Sequence, residues 1–509
     1  MEIELDAPQD PTQRRERWIV AGLAAFAALR VFVFAAAFPF FHNVDEHMHV
    51  DLVLKYARGF LPGPEDAHFE ADTARYLLFQ GSPEYMVQPD PKTGRGMSGP
   101  RQKKELRRAD PKRAQRRIAE VARGTNIEAE APPVYYVVTA GWYSLGRSLR
   151  FGPLASLYWM RWLAVAAVAA LVAVTWIALR SRYPDDAFMR LAPPLLLASF
   201  PNDLFFGVTA DVLSPLLGAA SFFALLDLRE GRFGLRGAVG VGLLLAVTFL
   251  NKYSNAAFLA LAGLLFVGAL LETWRRRTSL GSLAPWACMG VGAAVGILPW
   301  LIRNALVVGS VTGTHRKIAW LDWALKEPAE WFDHPLFTLS GWAEYLPSLI
   351  ANFWRGEFVW HRERIANGTV DDVYVISTAV LLAVAGVAWV RRRGSREGLR
   401  LEGCALGLCA LGVGLLAGLS LLFQYTTWGA PRVDFPYLAS GRLLGGAFAP
   451  FAILYVRGIR QSTSWLPGRW AAWAAWAALA AVVAVCVGSE IALSRGVFAS
   501  EFNWYHRSG

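Results

Sequence analysis

Eleven apolar runs constrain this chain more than any other feature. A helix needs about 20 predominantly apolar residues to cross the hydrocarbon of a bilayer. The runs fall at roughly 18–41, 154–179, 190–207, 209–228, 235–251, 254–272, 283–308, 371–390, 401–423, 439–457 and 469–492. Composition agrees, with 54% of the 509 residues hydrophobic and only 18% charged. Mean hydropathy is +0.31. These values exclude a soluble globular, disordered or coiled-coil chain. The fold class expected is an all-α polytopic membrane protein with about 11 transmembrane helices.

The arginines test that count. Arg14, Arg15 and Arg17 put the N-terminus in the cytoplasm. Alternation then sends Arg180/Arg182, Arg229/Arg232/Arg236, Arg275–Arg277, Arg391–Arg393 and Arg457/Arg460 to the same side. All five short loops obey the positive-inside rule, so the formal net charge of +11 implies no nucleic-acid partner. The C-terminus is then external. A twelfth span at 134–149 would invert every later loop. That segment is short and carries Tyr135, Tyr136, Trp142 and Tyr143, which suit a headgroup region, so it reads as an interfacial helix.

The organisation that follows is a cytoplasmic segment 1–17, a first span 18–41, a large external loop 42–153 and helices 2–7 over 154–308. A second large external loop 309–370, helices 8–11 over 371–493 and an external tail 494–509 complete it. The start, MEIELDAPQDPTQRRER, is too charged for a cleaved signal, so the first helix is expected to stay. Cys288, Cys404, Cys409 and Cys486 lie in apolar runs without metal-site spacing and read as small hydrophobes. No internal repeat and no buried charge ladder is visible, which weighs against an ion-coupled transporter.

Chemistry concentrates just past the first span. His42-Asn43-Val44-Asp45-Glu46-His47-Met48-His49-Val50-Asp51 crowds three carboxylates and three histidines into ten residues. An adjacent Asp-Glu pair lets one carboxylate take a proton while the other positions a partner or cation. A solvated loop start is the plain alternative. A divalent cation held by Asp45, Glu46, His47 and His49 is another, although His47 and His49 share a face only if the segment is extended.

Downstream, Pro132-Pro133 fixes the start of a helix that opens with Tyr135 and Tyr136. Polar residues then recur at outer helix ends: Arg161, Pro201-Asn202-Asp203, Asp211, Asn251-Lys252-Tyr253, Arg303-Asn304 and Arg442. Each alone could snorkel to headgroups. Together they would line one rim and could cradle an anionic headgroup, arginine by bidentate contact and lysine as a point charge. Between Lys92 and Arg123 the first loop also carries twelve basic residues, which could hold anionic lipid or an anionic acceptor.

In this order, Asp45-Glu46-x-x-His49, PPVYY (132–136), Asp211, NKYSN (251–255), PWLIRN (299–304), FWRGEF (353–358) and SGRLL (440–444) resemble the GT-C superfamily of integral-membrane glycosyltransferases. The likeness is to bacterial multi-pass members with a PDExxH-type first loop, many known only as predicted membrane proteins. This chain has Val44 where proline is common, and Leu443 where Gly-Arg-Tyr is frequent.

The resemblance implies a polyprenyl-phosphate-linked sugar donor and an extracytoplasmic glycan, lipid or cell-envelope acceptor, with membrane lipids around the chain. It implies inversion at the anomeric carbon, Asp45 as general base and Glu46 in support. Lys252, Arg303, Arg442 and Arg161 would meet the donor phosphate. His49, Tyr135, Tyr136, Asp211 and Asn304 would contact substrate. No cofactor is required, although some members of the superfamily use a divalent cation. The setting implied is a bacterial cytoplasmic membrane with the site on its external face. A transporter or flippase of lipid-linked glycans is the competing class, and a scaffold the third.

Overall fold

Helix breaks, as much as helices, decide this architecture. The computed structural model describes residues 11–41, 45–82, 84, 111–277, 279–361, 363–391, 396–424 and 431–507. His42, Asn43 and Val44, the 92–110 part of the basic stretch, and Arg392 and Arg393 lie outside the described residues. Among the described residues, nine helices are long and apolar enough to cross a membrane. They are Arg14–Ala37, Pro153–Arg182, Ala210–Arg229, Tyr253–Arg276, Leu280–Val308, Gly368–Arg391, Arg400–Leu422, Gly441–Ser462 and Arg469–Leu493.

The other two expected spans fall on shorter helices, Ala187–Ala198 and Leu235–Asn251. The first is capped by the Asp186 side chain, which accepts from the Met189 amide at 3.1 Å, and contains Pro193 and Pro194. Each proline removes an amide donor. Twelve residues at 1.5 Å each reach only about 18 Å, well short of a 30 Å hydrocarbon core. The chain continues as irregular backbone through the 3-10 turns Asp203–Phe206 and Ala210–Leu213. The Leu235–Asn251 helix packs closely on Ala284–Arg303, because a Cβ on Gly242 would lie 2.0 Å from the Met289 carbonyl oxygen. Small residues at such crossings let backbones approach.

Phe448–Ser462 is buried along nearly its whole length and forms the centre of the bundle, packed by Gly368–Arg391, Arg396–Leu422 and Ala187–Ala198. The apolar interior holds buried charge that the sequence did not announce. Arg30 pairs with Glu490 at 2.5 Å, Arg190 with Glu16 at 2.6 Å and Arg457 with Glu402 at 2.9 Å. Partners lie on different helices far apart in sequence, which is why no local pattern announces them. They are separate neutralising pairs rather than a continuous ladder.

The first large loop folds on the helix Glu46–Ala57, with Ala71–Gln80, Pro111–Ala122 and Val134–Ser148 around it. Asp51 is its hub. The carboxylate pairs with Lys55 at 2.8 Å and accepts from the Glu70 amide, the Thr73 hydroxyl and Asn126 Nδ2 at 2.8, 2.8 and 2.9 Å. Val134–Ser148 is fifteen residues long and is not among the nine long helices. Tyr135, Tyr136, Thr139 and Ala140 face the protein, while Val137, Val138 and Leu145 are exposed. The Trp142 and Trp159 rings, 4.1 Å apart, stack it on Pro153–Arg161.

Candidate functional site

Three of the polar residues expected at helix ends, Asp211, Lys252 and Arg442, converge where the spans lose helical backbone. Lys252 is extended (φ −161°, ψ 133°) between Leu235–Asn251 and the turn Tyr253–Asn255. The asparagines of NKYSN hold that break open. Asn251 Nδ2 donates to the Ala210 carbonyl at 2.9 Å, and Asn255 Nδ2 donates to the Thr248 carbonyl at 2.9 Å and Ser214 Oγ at 3.2 Å. Non-helical backbone near a membrane persists where protein satisfies it in this way. Lys252 Nζ is thereby delivered onto the buried Asp211 carboxylate. Thr209 Oγ1 donates to the same carboxylate at 3.2 Å.

Arg442 reaches Asp211 from the opposite side at 3.8 Å, and Glu357 at 3.8 Å. It leaves the 3-10 segment Gly441–Ala447, seated against Phe353, where Asn352 Nδ2 donates to the Ala439 carbonyl at 2.7 Å. Both contacts are loose. Among the described residues, Nε of Arg442 and Oε1 of Glu357 are buried without a hydrogen-bond partner. Glu357 is set in place by Asp203, whose Oδ2 accepts its amide at 2.9 Å. The turn needs Gly356, at φ +86°, where a Cβ would fall 1.9 Å from Asp203 Oδ1.

Asp45 faces this group. It caps the Glu46–Ala57 helix from the left-handed region (φ 63°, ψ 9°), and its carboxylate makes no capping bond. Among the described residues the carboxylate has neither a hydrogen bond nor an ion pair, although the backbone carbonyl accepts the Met48 and His49 amides. Its charge acts on His47, His49, Lys317 and Arg442. His49 is buried, with Nδ1 sharing a hydrogen bond with the Tyr136 hydroxyl at 2.7 Å and Tyr135 edge-on at 6.3 Å. Burial pulls its pKa down to about 4, against Glu128 and Asp45, so the ring is neutral at pH 7.

Two residues enter that the sequence reading did not single out. Lys317, on the short helix His315–Trp320 of the second loop, pairs with Glu128 of the first. Burial pushes Glu128 up, but Lys317, His49 and Lys252 together outweigh it and hold the carboxyl below its ordinary range. Burial pulls Lys317 down, and Glu128 with Asp45 more than restores it. Glu128 lies four residues before PPVYY and Lys317 in a His-Arg-Lys run. Those were the only local signals.

Other expected members stand elsewhere. Arg161 is not free for a phosphate. Its fork holds Glu46, Nε to Oε1 and Nη2 to Oε2, both at 2.7 Å. It also donates to the carbonyls of Ala35, Phe38 and Pro39 and lies 4.2 Å over the Phe40 ring. Glu46 further accepts the Phe41 and Val208 amides at 2.8 and 2.9 Å. That pair ties the end of the first span to the first loop, and Glu46 does not face the group with Asp45.

Arg303 grips the Pro62 carbonyl, donates to Asn304 Oδ1 at 3.0 Å and lies 5.1 Å over Trp300. Tyr56 and Tyr136 connect it to His49. Asn304 is buried, with its Oδ1 accepting from Arg303. His47 sits beside Phe69, rings 5.6 Å apart. The metal alternative loses its ligand set: Glu46 is bound to Arg161, His47 and His49 diverge on a helix, and among the described residues no three His, Cys, Asp or Glu side chains could share an ion.

Chemically, the cluster offers a carboxylate without a partner among the described residues, a neutral imidazole, and three cations each faced by an acid. Arg442 has the loosest contacts. Together the fold and this cluster define a polytopic α-helical membrane protein with an ion-paired polar site where its helices break. The chain belongs to the family described as predicted membrane protein (DUF2142), whose profile matches residues 26–439. That match covers Asp45, His49, Glu128, Asp211, Lys252, Lys317 and Glu357 but not Arg442. No curated protein matches the chain.

Proposed function

We propose that this chain is a GT-C-type glycosyltransferase that moves a sugar from a polyprenyl-phosphate donor to an extracytoplasmic acceptor. The observation that carries the reading is Asp45: an acid without a partner among the described residues, set opposite Arg442 and Lys317 at the rim of the bundle. The acceptor hydroxyl oxygen attacks the anomeric carbon while Asp45 takes its proton. The bond from that carbon to the phosphate oxygen breaks on the opposite face, with inversion.

The donor phosphodiester carries one negative charge and the departing polyprenyl phosphate a second. Cation contacts therefore strengthen as the bond breaks, which lowers the barrier. Arg442 is the principal phosphate ligand, since its 3.8 Å contacts to Asp211 and Glu357 exchange readily for an anion. Lys252 and Lys317 add point charges. Neutral His49, held by Tyr136, offers a hydrogen-bonding edge beside the sugar. The Glu46–Arg161 pair is frame.

The test is transfer by the purified chain in nanodiscs, offered a panel of polyprenyl-phosphate hexoses and pentoses, with release of polyprenyl phosphate as the readout. Asp45→Asn is expected to cut release by 10²–10⁴-fold, the usual range for losing a general base, with donor binding kept. Donor that crosses the bilayer without losing its sugar would instead support the transporter.

A further inference from the structure

The second large loop carries apolar side chains on its outer surface. Leu325, Phe332, Phe337 and Leu339 are 72%, 71%, 55% and 91% exposed, and Val433 on the neighbouring segment is 63% exposed. The Phe332 and Phe337 rings lie 5.4 Å apart, so these two share one patch, and Leu339 follows two residues on. Large apolar side chains exposed together in this way mark an interaction site.

Its level in the bundle identifies the partner. Ala324–Leu325 pairs antiparallel with Phe423–Gln424, placing Leu325 opposite Phe423, the first residue past the Arg400–Leu422 span. Below it, Leu336, Tyr345 and Leu349 share a small core with Leu416 and Ala417 of that span. Leu416 precedes the end of the span by six residues, about 9 Å along a helix axis. The Leu438 amide donates to Ser420 Oγ at 2.8 Å, holding the neighbouring segment at the same depth. The apolar face thus lies level with the end of that apolar span. Asp322, Glu327, Glu330 and Asp333 outnumber Lys326, so anionic headgroups would not attract the segment.

We infer that Leu325, Phe332, Phe337, Leu339 and Val433 form a ledge inserted among the lipid chains at the boundary of the adjoining leaflet, held there by apolar burial alone. Leu339 opens the Leu339–Arg355 helix, which ends two residues before Glu357. One helix, interrupted in its donor ladder at Pro347, therefore runs from this patch to the acid facing Arg442. This inference rests on the membrane fold and stands apart from the proposed reaction.

The test is spin-label accessibility in phosphatidylcholine nanodiscs. Labels are placed by Phe332→Cys and Leu339→Cys in the full chain with its four native cysteines replaced by alanine, and Glu327→Cys marks the water-facing side. Variants must match the parent in size-exclusion profile, and Phe337→Cys replaces any that does not. Collision with oxygen is expected to exceed collision with a water-soluble nickel chelate several-fold at 332 and 339, and to fall below it at 327. Replacing half the lipid with phosphatidylglycerol is expected to change nothing. Nickel-favoured collision at 332 and 339 would overturn the inference, and so would exclusion of both reagents, which would mean a protein cover. Deeper insertion with anionic lipid would overturn the claim that apolar burial suffices.

Discussion

Replacing Arg161 by methionine separates a framework role from a ligand role. The substitution keeps a long apolar stem but removes the guanidinium. Glu46 then loses two of its four hydrogen bonds among the described residues and the opposite charge paired with it, keeping the Phe41 and Val208 amides. The carbonyls of Ala35, Phe38 and Pro39 lose a donor as well. Both side chains are at most 1% exposed, so water cannot compensate. Stranding one partner of such a pair costs about 3–5 kcal/mol.

Unfolding in mixed dodecyl maltoside and dodecyl sulfate micelles, followed by circular dichroism, would read this directly. Adding Glu46→Gln to Arg161→Met removes the stranded charge, and the double variant is expected to lose less than the two singles summed, by about 2 kcal/mol. A single-variant loss under about 1 kcal/mol, the scale of an exposed pair, together with weakened polyprenyl-phosphate binding, would refute the framework role and return Arg161 to the phosphate.

Two further outcomes follow from the geometry. His49, held at about 4 in the fold against 6.5 when free, lets the unfolded chain bind its proton first, so stability present at pH 7 falls as pH drops from 6.5. His49→Phe is expected to flatten the slope between pH 6.5 and 4.5, a window above the titration of Glu128, within a full effect of about 3 kcal/mol; an unchanged slope in the same unfolding assay would contradict a buried neutral ring. Gly356→Ala forces a side chain into the left-handed region and onto Asp203, which is expected to cost about 2 kcal/mol or more and to loosen Glu357 from Arg442. Wild-type stability in that variant would show that the turn has other ways to close.

Much of the fold was legible because bilayer thickness acts on local sequence. Nine apolar runs became long helices, and the other two became short ones at Pro193-Pro194 and at the break before Lys252. The resulting fold supports a polytopic membrane protein; the side each loop faces was argued from arginine placement alone. The charge cluster was partly legible. Asp211, Lys252 and Arg442 stand at helix ends, where a charge is visible in sequence, and they meet.

What stayed hidden was pairing. Nothing local tells an arginine free for a ligand from one consumed by a carboxylate 115 residues away, as Arg161 is by Glu46. The same blindness covered Lys317 with Glu128, across 189 residues, and Arg30 with Glu490, across 460. Such pairs depend on packing between elements, which periodicity does not encode.

The most direct measurement is an electron cryomicroscopy map of the chain in nanodiscs with polyprenyl phosphate bound. Phosphate density within about 3 Å of the Arg442 guanidinium, with Lys317 beside it and the Asp45 carboxylate across the remaining space, is the predicted result. Density lodged at the Arg-rich end of the bundle, or at the rim but out of reach of Arg442 and Asp45, would contradict it.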